Sequence, residues 1–245
     1  LLDLRMIAKE GRAADIAAGR VGAKDEAQRR LESAIIWREV ARRSGDAAAL
    51  RKAAATAEAA AEAFGRDRRP DGWARARCEQ AFCAMLGAEL FGDEGLNAAA
   101  DVAFRDARSA ARGGLSLPLA DIGIAAIEAR GQMATGDAQA ARIAAARFAH
   151  PISGLQSLTR RCRAARLLAV EARLVLADLL IGWGARLRDS ELLTMARDEA
   201  DRAAQGLDTA YEPLSWARAM ALRGQAVALL GEVEGEVEML AQAVG

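Results

Sequence analysis

Four prolines, three cysteines and one histidine are spread through 245 residues, and aromatic side chains make up only 4% of them. Each shortage removes a class of answers. With so few prolines, little stops a helix from running on. Cys78, Cys83 and Cys162 are an odd number in a long chain. They exclude a disulfide framework and fit a reducing, cytoplasmic compartment. His150 stands alone, beside Pro151, without the neighbours that a zinc site or a catalytic triad needs. Neither sign of charge is in excess, since 34 basic residues meet 34 acidic ones. A nucleic-acid binder usually shows a clustered basic surplus, so that class is not expected.

Long hydrophobic runs are missing too. The most apolar stretch, 167–183, carries Glu171, Arg173 and Asp178 and falls short of the roughly 20 residues of a membrane span. It reads as a buried core helix, and no membrane association is expected. No strand-like alternation of useful length occurs. The phosphate-loop, dinucleotide, metalloprotease and nucleophile-elbow patterns are all absent. No catalytic residue, metal or cofactor is therefore expected. The opening LLDLRMIAKEGRAAD has no basic segment and no small-residue cleavage site, and reads as part of a longer chain rather than a signal peptide.

What is present is alanine, with leucine, arginine and glutamate around it. Alanine is the best helix former because it loses no side-chain entropy. The chain reads as nearly all helix. Its punctuation is a glycine followed by an acidic residue: Gly45-Asp46, Gly92-Asp93 and Gly136-Asp137, spaced by 47 and 44 residues. Arg188-Asp189 follows 52 later, and Gly231-Glu232 about one step further on. Glycine ends a helix in the left-handed conformation, and the acid caps the next helix. Pro70, Pro118, Pro151 and Pro213 fall one in each interval and mark the other joints.

These marks predict helices over 1–18, 24–43, 47–64, 71–90, 94–112, 119–134, 138–149, 156–186, 190–206, 214–230 and 233–243. Apolar spacing agrees. Leu31, Ile35, Ile36 and Val40 share one half of a helix surface. Leu167, Val170 and Leu174, broadened by Val175, Leu176, Leu179 and Leu180, make a wide face suited to an inner helix of a stack.

One heptamer is written twice in the same register: PDGWARA at 70–76 and PLSWARA at 213–219, 143 residues apart. That distance is close to three of the 44–52-residue steps. Both copies begin a first helix, with Trp73 and Trp216 about one turn inside. A large side chain there is expected to wedge between adjacent repeats. Ala74, Ala76, Ala217 and Ala219 leave room for close helix approach.

PLSWARAMALRGQAVALLGE, 213–232, resembles a tetratricopeptide-type repeat of the bacterial tandem variety. Pro213, Trp216, Ala217, Gly224, Leu230, Gly231 and Glu232 carry the match. Residues 70–96 are a weaker copy that keeps Pro70, Trp73 and Ala74 and puts Ala81 where Gly224 stands. Residues 127–149 resemble the family's small-residue helix pairs. The steps of 44–52 are longer than the family's usual 34, and the middle repeats lack the tryptophan. The resemblance implies an all-α fold, a right-handed superhelical solenoid of antiparallel helix pairs, here about five pairs in one domain over 1–245. It implies protein or peptide binding in a concave groove lined by first helices, and it names no ligand.

Most polar residues have a plain structural reading. Cys78 and Cys83 are packing thiols, Glu58 and Glu62 a solvated face, and Glu232, Glu234, Glu236 and Glu238 capping and solubility. Arg160, Arg163 and Arg166 stand at i, i+3 and i+6, with Arg173 seven beyond Arg166 on one stripe. Arginine grips carboxylates with a two-pronged geometry, so this row is a candidate for holding an acidic partner segment. The alternative is pairing with Asp and Glu of neighbouring helices. Arg75 and Arg218 recur at equivalent positions and suggest a structural salt bridge as much as a site. Three functions follow: a non-enzymatic protein-interaction scaffold, an all-α enzyme or small-molecule sensor with a pocket inside the superhelix, and self-association through terminal helices.

Overall fold

The computed structural model describes residues 2–18 and 23–235. Among them there are helices and the turns joining them, and no strand. In chain order the helices are α1 (Leu2–Ala18), α2 (Ala23–Ser44), α3 (Ala47–Phe64), α4 (Pro70–Phe91), α5 (Gly95–Ala110), α6 (Ser116–Gln132), α7 (Ala138–Leu158), α8 (Arg163–Leu187), α9 (Ser190–Gln205) and α10 (Pro213–Glu234). The chain forms two compact units, Leu1–Ile124 and Ala125–Gly245, with the boundary inside α6. In the first unit α1, α2, α3, α4 and α5 pack in order, each on the next, and α2 also meets α4. In the second unit α7 packs on α8, α8 on α9 and α9 on α10, with α8 meeting α10. Each unit is a tandem row of antiparallel helices, and the fold is an all-α helical repeat.

The caps do what the sequence expects of them. Asp46 accepts from the Ala48 amide at 2.7 Å, Asp137 from Ala140 at 2.8 Å and Asp189 from Leu192 at 3.1 Å. Gly45 and Gly92 adopt positive φ, 67° and 70°, where a side chain is strained. Arg188 takes the same left-handed turn at φ 52°. Gly136 serves differently: a Cβ there would run into the Trp183 ring.

First helices and second helices bury different surfaces. α4 buries Ala74, Ala76, Cys78, Ala81, Cys83, Met85 and Leu86, which surround its axis. Second helices bury one stripe, as α5 does with Ala100, Ala103, Phe104 and Ala107 at i, i+3, i+4 and i+7. α3 turns Ala49, Ala53, Ala57 and Ala60 inward, and these short side chains let its neighbours approach closely.

Two expected joints are corrected. Pro151 lies inside α7, not at a break, so the helix expected over 138–149 runs to Leu158. An interior proline costs about 3 kcal/mol. Buried Phe148, Ile152 and Leu155 on either side of it hold the helix together. Likewise α10 continues through Gly231 and Glu232, because Val227, Leu230 and Gly231 keep the buried period. It stops at Gly235, which supplies the positive φ, 74°. The helix expected over 233–243 therefore starts inside α10, and its remainder lies outside the described residues.

Candidate binding surfaces

Moving the α7–α8 turn to 159–162 changes the arginine row. Arg160 sits in the turn and is exposed, rather than on a helix with the others. Arg163 is the first residue of α8, and Arg166 and Arg173 follow in it. Arg166 donates to Glu212 at 2.6 Å, and Arg173 donates to Glu199 on α9. These two therefore tie α8 to its neighbours, and the row does not present four free cations on one face. The reason is distance along the chain: α8 begins seven residues later than expected, at 163 rather than 156, and the partners stand 46 and 26 residues away.

The Arg166–Glu212 pair has a second effect. It joins the start of α8 to the residue before α10, so the two helices begin at the same end of their unit. Exposed there are Arg160 and Arg161, which have no carboxylate partner among the described residues, together with Tyr211, Leu214 and Trp216. Tyr211 is 76% exposed and Trp216 39%. Trp216 was expected to be a buried wedge, and the structure corrects this. Trp73 is half-buried on the cluster of Leu31, Ala60, Ala61 and Phe64. Gly224 is a half-buried position within α10. The tryptophans that fill the interior are Trp37, whose Nε1 donates to Asp15 at 3.2 Å, and Trp183, only 1% exposed. The flanking Gly182 and Gly184 are the sequence signal for Trp183: Gly184 has Leu193 against it, and Gly182 faces Met133.

Between first helices the charge pairs are structural. Glu79 of α4 is fully buried and accepts from Arg38 of α2, with Arg75 3.8 Å away. Burial alone would push the Arg38 guanidinium down, but the adjacent Glu79 carboxylate outweighs it and holds Arg38 above its ordinary value. The repeated arginine of the second heptamer, Arg218, donates to Glu171 of α8 at 3.0 Å. Arg75 and Arg218 thus both enter salt bridges, as their recurrence suggested.

The remaining polar positions offer little chemistry. His150, Glu58 and Glu62 are exposed. Burial pushes the Cys78 thiol up to about 12 and the Cys83 thiol higher still, so both stay protonated. No group of three or more His, Cys, Asp or Glu side chains able to hold a metal ion occurs among the described residues, and no described helix is long and apolar enough to cross a membrane. A cavity of about 210 Å³ lies between α6 and α7, lined by Ala125, Glu128, Gln132, Gly136, Ile143 and Arg147 among others. It is smaller than the roughly 300–1,000 Å³ typical of small-molecule sites.

No protein-family model and no curated protein matches the chain. Among solved structures it is similar to one described as a circular tandem repeat protein with novel repeat topology and enhanced subunit contact surfaces. The identity is 18% and the TM-score 0.36. The match covers 98% of this chain and 61% of that one, so this chain spans about three fifths of the other's length.

Proposed function

We propose that the protein is a tetratricopeptide-like, non-enzymatic scaffold that holds a protein or peptide segment. The observation that carries this reading is the end of the second unit where α8 and α10 begin. Arg160, Arg161, Tyr211, Leu214 and Trp216 are exposed together there. Arginine, tyrosine and tryptophan dominate the energetics of protein interfaces, because each combines large contact area with a directed polar group. Unpaired guanidinium groups at the same end of the unit as exposed apolar side chains suit a segment carrying both carboxylates and hydrophobic anchors. The heptamer at the start of α4 and of α10 supports the tetratricopeptide likeness.

The test is affinity capture with the intact chain, followed by mass spectrometry. A protein captured by the parent, lost with Arg160→Glu/Arg161→Glu and with Trp216→Ala, and retained by Arg51→Glu supports the reading. Capture that is indifferent to all three variants removes this surface from the proposal.

A further inference from the structure

Three exposed cations of the first unit stand in two turns at one edge of it. Most arginines of the unit have a carboxylate in reach: Arg29 with Glu32, Arg30 with Glu26, Arg77 with Asp106 and Arg108 with Asp121. Arg66, Arg68 and Arg112 have none among the described residues, and all three are exposed. They stand in the α3–α4 turn, 65–69, and the α5–α6 turn, 111–115.

The two turns are joined. The Asp71 carboxylate accepts the Arg112 amide at 2.7 Å and the Gly113 amide at 3.2 Å. Ser116 Oγ donates to the Asp71 carbonyl at 2.9 Å, and Arg66 donates to Ser109 Oγ at 2.9 Å. Together the turns hold four arginines and one aspartate. The turns at the other end, α2–α3 and α4–α5, hold Asp46, Asp93 and Glu94 and no cation. Half-buried Trp73 stands within the basic edge, with the Arg66 guanidinium 5.1 Å and the Arg77 guanidinium 5.7 Å from its ring centre.

We propose that this edge of the first unit, Arg66, Arg68 and Arg112 on its two joined turns with Trp73 against Arg66, is a docking surface for an acidic peptide segment of a partner protein. The charge complementarity is local and needs only two or three carboxylates. A guanidinium binds a carboxylate through two parallel hydrogen bonds, and such charge-assisted bonds are about twice as strong as neutral ones. Stacking on Trp73 and the bond to Ser109 already hold Arg66 in place, which lowers the ordering cost of binding. Nucleic acid fits less well. Its bases would need an open aromatic face, and the Trp73 ring is flanked by Arg66 and Arg77.

The test uses the full chain and a fluorescein-labelled hexaglutamate peptide, read by fluorescence anisotropy at low salt. Arg66→Gln/Arg112→Gln is expected to weaken binding more than about tenfold, a loss of about 1.4 kcal/mol. The charge-matched Arg12→Gln/Arg51→Gln, exposed arginines elsewhere in the unit, is expected to change it less than about twofold. Equal losses in the two variants, or no loss in either, overturn the proposal. So does binding of a thymidine oligonucleotide or an anionic vesicle through Arg66 and Arg112 with no binding of hexaglutamate. Should the first variant lose its helical circular dichroism, a photoreactive hexaglutamate on the parent chain decides. Crosslinks within 62–77 and 105–116 support the surface, and crosslinks elsewhere sink it. Because Arg160 and Arg161 are untouched throughout, failure here is separable from failure of the second unit's surface.

Discussion

The first and second units both contain a helix that begins Pro-x-x-Trp-Ala-Arg-Ala, and they treat its tryptophan differently. Trp73 in the first unit is half-buried, lies on the α2–α3 cluster and has two guanidinium groups near its ring. Trp216 in the second unit is exposed. The heptamers match at every position named in the motif, so the difference comes from outside them. Four residues beyond Trp73 stands Arg77, and seven before it Arg66; the same offsets from Trp216 give Met220 and Thr209. The cover over the ring is supplied by the preceding turn and the next helical turn. The same holds for the arginine two residues after each tryptophan. Arg75 faces a fully buried Glu79 on its own helix, whereas Arg218 reaches a half-exposed Glu171 on α8. A short repeated motif therefore marks where a first helix begins, while its neighbours decide what its side chains do.

The largest expected effect separates the two carboxylates. Glu79→Gln removes the charge that two enclosed guanidinium groups face, and breaking a buried pair costs about 3–5 kcal/mol. Glu171→Gln breaks a partly solvated pair worth about 1 kcal/mol or less. Urea unfolding of both variants checks this, and equal losses would mean that the two bridges are equivalent after all.

Next come the tryptophans. Full truncation of a core tryptophan costs about 3–5 kcal/mol, so Trp183→Ala belongs in that range and half-buried Trp73→Ala near about 2 kcal/mol. Trp216→Ala is expected below about 1 kcal/mol, as at most surface positions. A Trp216 loss as large as that of Trp73 would erase the contrast between the units.

A smaller effect concerns acid. Burial pushes the Asp15 carboxyl up, but hydrogen bonds from Lys52, Ser33 and Trp37 with the Lys52 charge bring it below its ordinary 3.8. The folded value is thus lower than the unfolded one. The stabilisation from Asp15 is complete above the ordinary value and is lost as pH falls through the folded one. Stability measured across that acid range should decline less in Asp15→Asn than in the parent.

The smallest change in the molecule is a labelling pattern. Cys78 and Cys83 are buried with raised pKa values, whereas Cys162 is half-exposed just before α8. A thiol reagent at neutral pH should modify Cys162 alone in the folded protein and all three in urea. Fast labelling of Cys78 would show that the core of the first unit opens readily.

Much of the helix plan is legible in the residues. Asp46, Asp137 and Asp189 announce helix starts, and Gly45 and Gly92 announce ends, because a cap acts within three or four positions of itself. Pro151 misleads, since buried Phe148, Ile152 and Leu155 outweigh its local cost, and the error displaces Arg160 from its expected helix. The candidate surfaces are much less legible. Arg160, Arg161, Arg66, Arg68 and Arg112 look no different in the chain from Arg166 or Arg173. They differ only in lacking a carboxylate in reach.

Alanine richness, caps and apolar spacing by themselves determined that this protein is helical, where most helices start, and that they alternate as antiparallel neighbours. Those properties arise from hydrogen bonds and packing within a few residues of chain. Only the tertiary structure decided that Trp183 and not Trp216 fills the interior, and which arginines remain free. The partners that settle these questions lie tens of residues away, as Glu212 does from Arg166 and Glu171 from Arg218, and folding alone brings them within bonding distance.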